Sequence, residues 1–196
     1  MGHIVHITYC FINESVNRNT WLANIITIWY RDELNHAAGF RKILHLLYGD
    51  SEENLARCMS EREPNFEELE HFFNDEFKLC VLFAYDEYAS TMTYKKDSFY
   101  HTLGSNEFSE WIKRLVRDEA RHFMNAVKLI HHKYSHRLSE VRNIINEILT
   151  FENSGASYKA TFLFDHDGEH FLLNSDELNH ECAGKVYKMI TQRNLF

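Results

Sequence analysis

Arg31-Asp32-Glu33-Leu34-Asn35-His36 and Arg117-Asp118-Glu119-Ala120-Arg121-His122 carry one pattern, Arg-Asp-Glu-x-x-His, twice in the chain. Both copies lie among apolar residues at mixed spacings of three and four, the period of an amphipathic helix, with Trp21, Ile25, Ile28, Trp29, Phe40, Ile43 and Leu47 forming the expected stripe around the first. Glu and His three apart on a helix share a face, with Cβ atoms about 5–6 Å apart. From there both side chains reach one metal ion. Two such pairs on two helices, joined by a further carboxylate, are what a dinuclear iron or manganese site in a helix bundle requires.

The short motif alone carries little weight. With about 20 Glu and 13 His, composition by itself produces one or two Glu-x-x-His matches. The chain has Glu33/His36, Glu68/His71, Glu119/His122 and Glu177/His180. The extended six-residue match is far rarer, and Glu87 adds to it. Glu87 stands between the two copies in Tyr85-Asp86-Glu87-Tyr88-Ala89-Ser90, preceded by Leu79, Val81, Leu82, Phe83 and Ala84. A carboxylate in so apolar a stretch needs a partner or a metal ion if it faces inward.

Around these residues the chain reads as long helices with few breaks, in keeping with a single Pro and seven Gly. The spacing predicts helices over about 17–48, closed by Gly49-Asp50-Ser51, and over about 52–61. Further helices are predicted over about 66–103, stopped by Gly104, and over about 107–134, capped by Ser105 or Asn106. Segments 139–151 and 175–191 follow the same period. Residues 3–13 fit a strand or a helix end equally. Tyr158 to Phe164, the polar turn Asp165–Glu169 and His170 to Leu173 read as a β-hairpin. The expected fold is all-α, one domain over residues 1–196. Its metal-binding helices lie at about 17–135, with the hairpin and last helix at about 157–191.

The order Glu-x-x-His, lone Glu, Glu-x-x-His resembles the ferritin-like di-iron carboxylate proteins. The spacing of Glu33, Glu87 and Glu119 is most similar to the soluble acyl-carrier-protein desaturases and their N-oxygenase relatives. Leu34 to Phe40, Asp118 to Phe123, and Glu87 followed by Ser90 and Thr91 share that family's local pattern. The resemblance covers roughly residues 20–135. It implies a four-helix-bundle core and two iron (or manganese) ions, with Glu33 and Glu119 bridging or chelating, His36 and His122 each on one metal, and Glu87 terminal. Asp32 and Asp118 would accept a hydrogen bond from the ligand His residues, with Arg31 and Arg117 as their partners or as plain surface charges. The family has one more Glu, on a helix before the first copy. Glu14 is the only upstream Glu, and a full helical hairpin between it and Glu33 would be cramped. Glu14, a later residue (Glu140, Glu147 or Glu177) or an incomplete site are the alternatives.

The implied activity is O2-dependent oxidation of an organic substrate by a non-haem di-iron oxidoreductase, an acyl-thioester desaturase or a small-molecule monooxygenase, served by an electron donor. A homodimer is left open. A second possibility is a tRNA-modifying di-iron hydroxylase. A third is a non-catalytic metal-binding or interaction protein. The net charge of −8 weighs against a nucleic-acid partner, although Arg41, Lys42, Lys113, Arg114 and Arg117 offer a local basic patch. Cys10, Cys58, Cys80 and Cys182 are scattered without a CxxC pair, which suits free thiols in the cytoplasm. The apolar stretch from Ile4 to Ile12 is too short to span a membrane.

Other polar clusters read as ordinary structure. Glu68/His71 suits a solvated face, Glu177/His180 a helix start, and His131, His132 and His136 a basic helix end that complements the dipole. Tyr30 and Tyr88 suit aromatic packing, and the 165–170 turn needs its Gly and Asp for geometry alone.

Overall fold

The computed structural model describes residues 21–61, 69–96, 99–102, 104–152 and 175–192. Nearly all of them are helical, and no strand occurs among them. Glu14, the 3–13 segment, Glu68 and the expected β-hairpin lie outside the described residues. Two compact units divide the chain: Met1–Asn74 with Ser157–Ala160, and Asp75–Ala156 with Thr161–Phe196.

In the first unit, α1 runs over Trp21–Tyr48 and α2 over Glu52–Ser60 and the two pack together, followed by the single turn α3, Glu70–Phe73. Gly49 ends α1 at φ 71°, its N–H donating to the His45 carbonyl at 2.9 Å. A glycine takes this left-handed cap without steric cost. Ser51 then starts α2, its hydroxyl accepting from Asn54 N–H at 3.0 Å. Ile26 and Ala37 are buried on α1. Ile28, expected on the apolar stripe, is 51% exposed. Two residues turn a helix by roughly 200°, so Ile28 points away from Ile26. Leu47, expected to be apolar and periodic, is also exposed, beside Leu46 and Tyr48 in the last turn.

The second unit holds α4 (Glu76–Lys96), the short α5 (Phe99–Thr102), α6 (Asn106–Lys133), a 3-10 segment (Ser135–Glu140), α7 (Val141–Glu152) and α8 (Ser175–Thr191). Its central element is α4, which packs against α6, α7 and α8. That explains a helix apolar on nearly every face, with Phe77, Val81, Ala84, Tyr85 and Ala89 all buried. Its two core threonines satisfy their hydroxyls on the helix itself: Thr91 donates to the Glu87 carbonyl at 2.8 Å and Thr93 to the Ala89 carbonyl at 3.0 Å. The partners contribute amphipathic stripes: Ile112, Leu115, Ala126, Val127 and Ile130 from α6; Val141, Ile144, Ile145 and Ile148 from α7; Cys182, Val186 and Ile190 from α8. Ser105 caps α6 as expected, accepting from Phe108 N–H at 3.1 Å after Gly104 at φ 70°.

The single helix expected over about 66–103 is in fact broken. Asn74 closes α3, its N–H donating to the Glu70 carbonyl at 3.0 Å. Asp75 then opens α4, Oδ1 accepting from Phe77 N–H at 2.9 Å and Lys78 N–H at 3.3 Å. A short side chain that bonds nearby N–H groups competes with helix continuation. Tertiary structure reinforces this break. Arg137, from the 3-10 segment, grips Asp75 with two parallel bonds of 2.9 and 2.8 Å and Glu140 with two more of 2.8 and 2.7 Å. Its guanidinium also lies 4.5 Å over the Phe77 ring. Arg137 thereby holds the Asp75 carboxyl below the usual carboxylate range. Lys133 on Glu76 and Lys78 on Glu147 tie the same end of α4 to α6 and α7.

Arg137→Ala should therefore cost about 1.5–3 kcal/mol, the range for hydrogen bonds to charged groups, in urea unfolding of the full chain. Arg137→Lys should recover only part of it, because a lysine cannot form the paired bonds. An unchanged unfolding midpoint in Arg137→Ala would show that the clamp carries no stability.

Candidate metal centre

Helix α6 buries one stripe, and Glu119 and His122 fall in its register: Ile112, Leu115, Glu119, His122, Ala126 and Leu129 are all buried. The ligand pair of the second motif copy thus occupies core positions by helical period alone. Glu87 comes from the neighbouring α4. Glu87, Glu119 and His122 are 3%, 4% and 1% exposed, so water cannot solvate their charges.

The three side chains converge. His122 Nδ1 lies 3.1 Å from Glu87 Oε2 and 3.4 Å from Glu119 Oε2. One ligand atom from each residue lies within 4.8 Å of those of the other two. Burial pushes the Glu87 carboxyl well above its usual range, and the nearby Glu119 charge adds to this. Burial works against a charged His122, but the Glu87 and Glu119 carboxylates outweigh it and push the imidazole up to about 11. Protons therefore occupy the metal-free cluster at neutral pH.

The donor set fits a metal ion. Two carboxylates and one imidazole, without a thiolate, are donors that a hard or borderline divalent cation takes in preference to a soft one. A cation bound there would replace protons as the countercharge for two carboxylates that water cannot reach.

The first copy of the motif repeats the local geometry. On α1, His36 Nδ1 lies 3.2 Å from Glu33 Oε1, with His36 buried and Glu33 half-buried. In both copies the imidazole thus turns Nδ1 toward the Glu of its own helix.

Neither Glu140 nor Glu147 joins the cluster as a substitute carboxylate: Glu140 pairs with Arg137 and Glu147 with Lys78. Both belong to the network at the far end of α4. Asp118 Oδ1 accepts from Arg121 at 2.8 Å, while Asp32 is half-buried on α1 and Arg31 and Arg117 are exposed. His180 is exposed on α8, whereas the Glu177 side chain lies outside the described residues. His131, His132 and Lys133 form the basic last turn of α6. The Tyr88 ring packs 5.2 Å from Phe123, the aromatic role expected for it, and Tyr30 is half-buried. Thr91 stood out in the sequence beside Ser90, one turn after Glu87, whereas the buried hydroxyl of Thr93 carried no signal beyond polarity inside an apolar helix.

No helix among the described residues is long and apolar enough to cross a membrane. No family model, curated protein or solved structure matches the chain.

Proposed function

We propose that this chain is an O2-dependent non-haem di-iron oxidase or oxygenase acting on an organic substrate, desaturase-like or hydroxylase-like, built on a ferritin-like bundle. The observation that supports the reading best is the convergence of Glu87, Glu119 and His122 in the core of the second unit, each nearly sealed from water. Natural cores seldom bury two carboxylates without a cation.

Glu119, His122 and Glu87 would hold one side of the centre. Glu33 and His36 are assigned to it on the strength of the repeated six-residue pattern and their matching Nδ1 geometry. When bound, the iron pair would supply oxidation of a C–H or N–H bond with O2 and external electrons. The protein residues have other tasks. The apolar walls of α4 and α6 exclude water, so that oxidising equivalents are not spent on solvent. The carboxylates, acceptor-only when ionised, would balance the metal charge, and the imidazoles of His36 and His122 would serve as its nitrogen ligands.

Metal analysis after anaerobic loading with Fe(II) tests the proposal. The wild type is expected to retain near two irons per chain, as a dinuclear carboxylate centre does, and Glu87→Ala to lose most of that iron. Wild-type protein that holds no iron, or a Glu87→Ala variant that holds as much as wild type, removes the proposal.

A further inference from the structure

We infer that Glu87, Glu119 and His122 form a self-sufficient site for a single divalent cation, which fills without Glu33 or His36, so that metal loading is stepwise. The inference deepens the functional reading above and rests on it for the metal class. Its geometric basis lies wholly within the second compact unit. All three donors belong to Asp75–Ala156. Two neighbouring helices, α4 and α6, present them, and both helices are packed in turn against α8. Ion pairs bind the ends of α4 to its neighbours: Asp75 with Arg137, Glu76 with Lys133, and Lys96 with Glu181.

A metal site is strong when its donors are already aimed before the ion arrives, because little side-chain entropy is then lost on binding. Here each donor is buried, and three donor atoms from three residues lie within 4.8 Å of one another. Glu33 and His36 belong to the other compact unit, and Glu33 is the most exposed of the motif carboxylates, its side chain 20% accessible against 4% for Glu87 and 5% for Glu119. The tighter step belongs to the drier, fully packed triad.

Titrating metal-free, full-length protein with Mn(II) tests the inference, with free Mn(II) counted by electron paramagnetic resonance and folding checked by circular dichroism. The double variant Glu33→Gln/His36→Asn should keep one ion, its affinity for the tighter step falling by less than about tenfold, the lower end of what a ligand's neighbour contributes. Glu87→Ala, tested separately, should lose the tighter step. Retention of that step in Glu87→Ala, or a larger loss in the double variant, overturns the inference. Two ions taken up by wild type in one step, both lost in the double variant, overturn it while leaving the dinuclear reading intact. One ion in wild type, kept in the double variant, supports it and removes the dinuclear reading. No uptake by wild type overturns both.

Discussion

His122→Ala is expected to lower the stability of the metal-free protein by about 3–5 kcal/mol, the cost of removing one partner from a buried ionic group. The imidazole is the countercharge for two carboxylates, at 3.1 Å from Glu87 and 3.4 Å from Glu119. Without it, the two buried carboxyl groups lose their countercharge and must be neutralised by protons in a site that water cannot enter, and the side chain leaves a cavity in the core as well. Glu87→Gln should cost much less, because it removes one of the repelling carboxylates and keeps the shape. The double variant should therefore be more stable than His122→Ala alone, a positive coupling that a double-mutant cycle reads directly. Guanidinium unfolding at pH 7 in a chelator measures all three. A His122→Ala change within about 0.5 kcal/mol of wild type, the size of an ordinary surface substitution, would mean that the imidazole carries no such charge balance.

The second large effect is an opposite response to pH with and without metal. The His122 imidazole rises from its ordinary 6.5 to about 11 in the folded protein. A raised basic group contributes stability that is fully present below pH 6.5 and is lost as pH rises through about 11. Glu87, raised by burial and then by Glu119, acts in the same direction: above its ordinary value the folded state keeps a proton that the unfolded chain has released, so stability falls as pH rises from that value through the elevated one. The metal-free protein should therefore lose stability steadily on the alkaline side of neutrality. Metal reverses the slope, since ligands bind it only when deprotonated and release protons as they do. The stabilisation by metal should grow with pH, reaching about 2.7 kcal/mol once free ion is a hundred times its dissociation constant. Thermal melts from pH 6 to 9, with Mn(II) and with chelator, give both slopes. Parallel slopes in the two conditions would exclude these side chains as the ligands.

Much of this centre was legible in the sequence. Helical period alone places Glu119 and His122 in register with Leu115 and Ala126, so their burial follows from the same stripe that makes α6 a helix. Glu87 stood out because a carboxylate amid Val81, Leu82, Phe83 and Ala84 demands a partner. The ends of α1 and α6 were legible for similar local reasons, Gly49 and Gly104 at positive φ and Ser105 as a cap. Ile28 misled because mixed three and four spacings let two faces of α1 both look periodic, and only packing selects the face that holds Ile26.

Local chemistry therefore determined by itself that this is a helical protein carrying two Glu-x-x-His pairs and an isolated core carboxylate, because helix period, caps and breakers act within a few residues. Tertiary structure reinforced the break at Asp75, where Arg137 reaches back from the 3-10 segment to hold a cap. It alone removed Glu140 and Glu147 from the ligand candidates by pairing them with Arg137 and Lys78. It also decided that Glu87 on α4 meets Glu119 and His122 on α6, since distances across helices depend on how their apolar faces pack and not on spacing along the chain.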